Sequence, residues 1–222
     1  MKLQRLCFAF GAVLLGSAAQ AGPGVIFAPV AATIDAGGPG SGSIADTFNQ
    51  NGLSANYVSN VTNFDAYIAS GPSHTSTFSG FEWFSEAGTT SAQVTYDFGS
   101  ARTFRALALW NEESSGIGQL DLSTSLDGVT FNSLATVFPT DNPLASYLAD
   151  VFTFGATNAR YVRFSMSGCP QSDPGSYPAC AIGEVAFKAA VPEPATWALM
   201  VGGFGAVGGA LRSRKRAAAS LA

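Results

Sequence analysis

The chain has 222 residues, 47% hydrophobic and only 12% charged, with a single His, which excludes a disordered acidic chain and any multi-His metal centre. Its 25 Gly and 17 Phe make it rich in turns and aromatics, a composition that favours β-structure over a helical bundle. Between residues 22 and 191 stand 14 acids against five bases (Arg102, Arg105, Arg160, Arg163 and Lys188), a net charge of −9 that repels phosphates and excludes nucleic acid as a partner.

At the N-terminus, Lys2 and Arg5 precede an apolar run from Leu6 to Gly16, and Ser17-Ala18-Ala19-Gln20-Ala21 follows. A basic start, a short apolar run and small residues at Ala19 and Ala21 compose a signal peptide over residues 1–21, cut by signal peptidase before Gly22. The run is too short to span a bilayer. Cys7 lies too far upstream of the cut to carry a lipid anchor. Export places the body in an oxidising compartment.

Residues 22–44 form a Gly-rich lead that reads either as an edge strand plus loop or as a linker. His74, within Gly71-Pro72-Ser73-His74-Thr75, is expected on an exposed loop. Phe81-Glu82-Trp83-Phe84 sets three aromatics around an acid, which suits the C–H faces and hydroxyls of a sugar ring. The plainer reading puts Trp83 and Phe84 in the core.

Strand-like runs then follow at short intervals. Gln93–Phe98 ends at Gly99-Ser100, and Phe104–Trp110 places Leu107 and Leu109 on one face with Phe104, Ala106, Ala108 and Trp110 on the other. Gln119–Thr124 and Val129–Val137 flank the hairpin dipeptide Asp127-Gly128. Val151–Phe154, Arg160–Met166 and Ile182–Phe187 complete an antiparallel all-β sandwich. Asn111-Glu112-Glu113-Ser114-Ser115-Gly116 is a polar loop whose carboxylates offer hard oxygen donors to calcium, though without the spacing of a known calcium loop. A solvated turn is the plainer reading. Glu82, Glu86, Glu112 and Glu113 are the acids open to a glycosidase pair, yet nothing in the sequence pairs them, and surface acids ordinarily serve solubility. Cys169 and Cys180, the only cysteines left after export, are expected to bridge a Pro-rich loop, contributing about 3 kcal/mol by the chain-entropy argument.

Ala195–Leu211 is a run of 17 uncharged residues, about 25 Å long as a helix. Arg212-Ser213-Arg214-Lys215-Arg216 follows and belongs on the cytoplasmic side. Pro192-Glu193-Pro194 stands immediately before the run, held extended by its prolines. This order of Pro-Glu-Pro, apolar segment and basic tail over 191–216 resembles the PEP-CTERM sorting signal of Gram-negative bacteria. The resemblance implies a single transmembrane sorting helix, transient anchoring in the inner membrane and processing by an exosortase near Pro192-Glu193-Pro194. It further implies release to the cell surface or beyond, in association with exopolysaccharide or biofilm. Residues 217–222 show no role.

The strand words Val94-Thr95-Tyr96-Asp97-Phe98-Gly99, Ala106–Asn111, Ser123–Phe131, Ala159–Phe164 and Ile182-Gly183-Glu184-Val185 resemble, in order and spacing, the coagulation factor 5/8 type C or discoidin-like domain. The resemblance covers residues 45–190 and implies an antiparallel jelly-roll sandwich. Loops at one end would bind glycans, lipids or proteins, often with a structural calcium. The disulfide that joins the two termini in many members is absent here. On this reading the chain is an exported, non-enzymatic binding module for extracellular polysaccharide, with no cofactor beyond such a calcium. The alternative is a secreted glycan-processing enzyme or its accessory carbohydrate-binding domain. The loops expected to bear the ligand are those of His74, Glu82 and Trp83, and Asn111, Glu112 and Glu113.

Overall fold

The computed structural model describes residues 24–77, 80–172, 177–190, 202–205 and 207–208. The signal peptide with Ala19 and Ala21, the Pro192-Glu193-Pro194 motif and the basic tail lie outside the described residues. Residues 202–205 and 207–208, inside the apolar run, are helical. Among the described residues no helix is long and apolar enough to cross a membrane.

The body, residues 23–191, is built from short edge strands around two long central ones. In chain order the strands are β1 (Ile26–Phe27), β2 (Ala31–Ala36), β3 (Ser41–Gly42), β4 (Ser73–His74), β5 (Trp83–Phe84) and β6 (Ser91–Asn111). They continue as β7 (Gln119–Ser125), β8 (Asn132–Val137), β9 (Tyr147–Leu148), β10 (Asp150–Ser167) and β11 (Ala181–Ala189). One helix, α1 (Phe64–Ala69), is started by Asn63, whose side chain accepts the Ala66 N–H at 2.7 Å. The Gly-rich lead therefore holds three strands.

Fully extended, the 21 residues of β6 would reach about 70 Å, far more than a domain of this size can accommodate. The strand bends after Phe98. Gly99 has a φ of 76°, its N–H bonds Asp97 Oδ1 at 2.7 Å, and Arg160 clasps the same carboxylate with two bonds of 2.9 Å. The dipeptide Gly99-Ser100, expected to end a strand, instead turns one strand from the first layer of the sandwich into the second. Residues 91–98 pair with β2 and with 161–167 of β10, and β7 and β8 continue that layer. Residues 104–111 pair with β11 and with the first half of β10, and β1, β3 and β5 build out the far edge. The result is a discoidin-like antiparallel jelly-roll sandwich, all-β as expected.

The two inner faces meet in a core that includes Val94, Tyr96, Phe98, Leu107, Leu109, Leu122, Val162, Phe164 and Phe187. Contrary to expectation, residues 104–110 do not alternate faces throughout. Phe104 lies in this inter-sheet core with Leu107 and Leu109, not with Ala106, Ala108 and Trp110. Lys188 pairs with Ala106 and its neighbour Ala189 with Phe104, so Arg105 is bulged out and side-chain alternation slips by one. Ala106, Ala108 and Trp110 face outward beneath a second cluster formed with Tyr57, Phe64, Tyr67 and Tyr147. The strand expected from Val129 begins only at Asn132. Asp127 captures the N–H groups of Val129 and Thr130, which prolongs the turn. Cys169 and Cys180 are disulfide-bonded, as expected.

Candidate functional site

The ends of β5 and β6, the start of β11 and the small β4–β9 pair converge at one place, through Trp83–Ile182, Asn111–Ile182 and His74–Tyr147 pairings. Here the structure gathers the residues singled out from the sequence and buries them, as the plainer reading had it for Trp83 and contrary to expectation for His74, Asn111, Glu112 and Glu113. His74 is on a strand rather than an exposed loop and is fully buried, as are Trp83 and Asn111. Glu82 and Glu112 are 1% exposed and Glu113 is 6% exposed. Of the four acids, only Glu86 is at the surface as expected.

The reasons are local. Strand alternation sends Trp83 into the inter-sheet core, where its indole N–H bonds the Pro39 carbonyl at 2.9 Å. Glu82, one residue earlier, points the other way, toward Tyr147. Asn111 acts as a loop clasp. Its amide donates to Thr140 O at 2.9 Å and Gln171 Oε1 at 2.8 Å, and its side-chain oxygen accepts the Ile117 N–H at 2.9 Å. Asn142 returns a bond to the Asn111 carbonyl at 2.8 Å. The solvated turn expected at 111–116 is thus a packed one.

Glu82, Glu112 and Glu113 bring carboxylate oxygens within 4.8 Å of one another. Tyr147, on β9, donates its hydroxyl to Glu82 Oε1 at 2.6 Å. His74 Nδ1 is 3.0 Å from both the Thr75 carbonyl and the Tyr147 hydroxyl, which places its proton on Nδ1. The same nitrogen is 3.3 Å from Glu82 Oε1. Glu112 accepts from the Ser114 hydroxyl at 2.6 Å, from Ser114 N–H at 2.9 Å and from Ser115 N–H. Burial pushes the Glu112 carboxyl up to about 7 and, with the added repulsion of Glu112, the Glu113 carboxyl up to about 8. Burial first, then the Glu82 charge, raises the Tyr147 phenol well above its ordinary range.

A carboxyl held protonated near neutrality can serve as a general acid, and glycoside hydrolysis pairs one such group with an ionised carboxylate. A polysaccharide, however, has no access to carboxylates this deeply covered. The set is instead an oxygen-donor cluster of the type that hard cations favour. A fourth buried acid, Glu184 on β11, accepts the Gln50 N–H at 2.9 Å through Oε2 and leaves Oε1 unpartnered. Burial holds its carboxyl well above the usual range. It offers one carboxylate where the triad offers three. The calcium implied by the resemblance thus meets a fitting donor set.

Sequence reasoning missed Tyr147, Gln171 and Glu184. For Glu184 a signal existed: an acid standing alone among apolar residues in Ile182–Phe187. For Tyr147 and Gln171 none existed, since their roles depend on loops that meet only in the folded chain. Over the cluster run the residues after β8, with Phe138, Leu144 and Leu148 exposed. Beside them Ile68, Gly71, Pro72, Leu148 and Ala149 line a shallow cleft of about 240 Å³.

Residues 190–215 match the PEP-CTERM protein-sorting motif. No curated protein matches the chain. Among solved structures the body is similar to the CBM32-1 and CBM32-2 domains of Clostridium perfringens ZmpB, with a TM-score of 0.50 and 12% identity, over 73% of this chain and 35% of that one. It is also similar to CpGH89CBM32-5 of Clostridium perfringens, in complex with GalNAc-β-1,3-galactose, with a TM-score of 0.47 and 12% identity over 71% and 93% of the two chains. Chitosan-binding module 1 from the chitosanase/glucanase of Paenibacillus sp. IK-5 gives 0.45 and 18% over 72% and 95%. At these identities the likeness is one of fold.

Proposed function

We propose that this chain is an exported, surface-sorted and non-enzymatic module that binds polysaccharide of the extracellular matrix of a Gram-negative bacterium. The observation that carries the reading is the union of two parts in one chain. A discoidin-like sandwich ends with β11 at Ala189, and the match to the sorting motif begins at residue 190. The fold is that of CBM32 domains, and the motif supports delivery through the inner membrane with removal of the tail by an exosortase.

The binding face in this reading is the surface over the buried cluster. Phe138, Leu144 and Leu148 supply apolar contact for sugar C–H faces, and the cleft beside Leu148 has room for a single ring rather than a long chain. Asn111, through Thr140 and Asn142, and His74 and Glu82, through Tyr147, hold these loops from beneath; Trp83, Glu112 and Glu113 are packed in the structure under that face. The body's charge of −9 favours a neutral or cation-bridged polymer over one that is strongly anionic. The test is retention of the mature protein on polysaccharide from the producing cells. Phe138→Ala and Leu148→Ala should weaken retention without lowering the melting temperature. Unaltered retention in both variants would place the binding face elsewhere. No retention of the wild type would favour a purely structural matrix protein.

A further inference from the structure

We propose that Glu82, Glu112 and Glu113 hold a hard divalent cation of the calcium class at the convergence of β5, β6 and the β4–β9 pair. The three carboxylates lie within 4.8 Å of one another and are almost wholly buried. Two of their oxygens, Glu82 Oε2 and Glu113 Oε2, are buried without a hydrogen-bond partner, and a buried anionic oxygen without a partner is costly. The bases of the body are engaged elsewhere: Arg160 on Asp97, Arg163 on Asp35, Lys188 on Asp65 and Arg102 on Asn60. Arg105 is bulged out into solvent. His74 turns Nδ1 to Glu82 Oε1, which Tyr147 already serves, and its Nε2 faces Gly52, where an added Cβ would lie 2.6 Å away.

One cation among the three carboxylates offsets their mutual repulsion and supplies the positive partner that the cluster lacks. The donors are oxygens alone, because Cys169 and Cys180 are bonded to each other and the free imidazole nitrogen is turned away, so calcium fits better than zinc. Two of the three donors are also held before any ion arrives. Glu112 is fixed by Ser114 and Ser115, and Glu82 by Tyr147.

This inference does not rest on polysaccharide binding, and its test contains no glycan. The mature protein is stripped with EDTA and titrated with calcium chloride, by calorimetry and thermal melting. One ion should bind, and at about 100 times its Kd it should raise the melting temperature by about 5–10 °C. Glu82→Gln and Glu113→Gln should abolish that rise, yet in EDTA melt at or above the wild-type temperature, because each leaves one buried acid fewer in a cluster that no cation balances. A merely structural role for these carboxylates would lower it. Glu184→Gln should keep the calcium response. No calcium-dependent heat or melting shift in the wild type, a reading that needs no variant to fold, would overturn the inference. So would a response kept in Glu113→Gln and lost in Glu184→Gln.

Discussion

Trp83 is the candidate ligand residue whose placement changes most between a surface and a core reading, and substitution by Ala separates the two. Its ring is fully buried in the inter-sheet core and its indole N–H bonds the Pro39 carbonyl at 2.9 Å. Removing a buried ring of this size costs about 3–5 kcal/mol in lost transfer energy and cavity, and the orphaned Pro39 carbonyl adds about 1 kcal/mol. Against a total stability on the order of 5–15 kcal/mol, Trp83→Ala should leave the body marginal. Trp83→Phe keeps most of the packing and should cost only about 1–2 kcal/mol, mainly the hydrogen bond. Equilibrium urea unfolding of the disulfide-intact mature protein measures both. A loss below about 1 kcal/mol for Trp83→Ala, with an unchanged urea slope, would refute the core placement.

In EDTA, stability should fall as pH rises from about 5 to about 8. The folded carboxyls of Glu112 and Glu113, beside Glu82, His74 and Tyr147, retain protons that the unfolded chain releases near 4.5, and burial is the main cause. Melting that is flat or rising over that range would contradict this. Replacing Cys169 and Cys180 together by Ser should cost about 3 kcal/mol, and thiol labelling of denatured, unreduced wild type should find no free cysteine. Two labelled thiols per mature chain would reject the bridge. The extracellular protein should begin at Gly22 and lack Trp197 to Arg216 by intact mass; a retained tail would reject processing near Pro192-Glu193-Pro194.

The strand positions were legible because alternation and turn dipeptides are local, and Ile182–Phe187 appears almost where it was read. The joining of 93–98 to 104–110 was not legible, since the bend depends on Arg160 reaching Asp97 across the sheet. Nor was the bulge at Arg105, which exists only in register with Lys188 and Ala189. The six candidate site residues do converge; the core place of Trp83 was legible, but the burial of the polar five was hidden. It is produced by the 138–147 loop and the β4–β9 pair, which close over Glu82, Glu112 and Glu113 from distant parts of the chain. Charged residues in a sequence read as surface until a partner element covers them.

Polysaccharide binding by the exported body is read on a glycan array probed with the mature extracellular protein, in calcium and in EDTA. Selective binding to neutral or cation-bridged glycans is expected, weakened in Phe138→Ala. Binding no stronger than to blank spots, by protein that melts cooperatively under the same conditions, would contradict it.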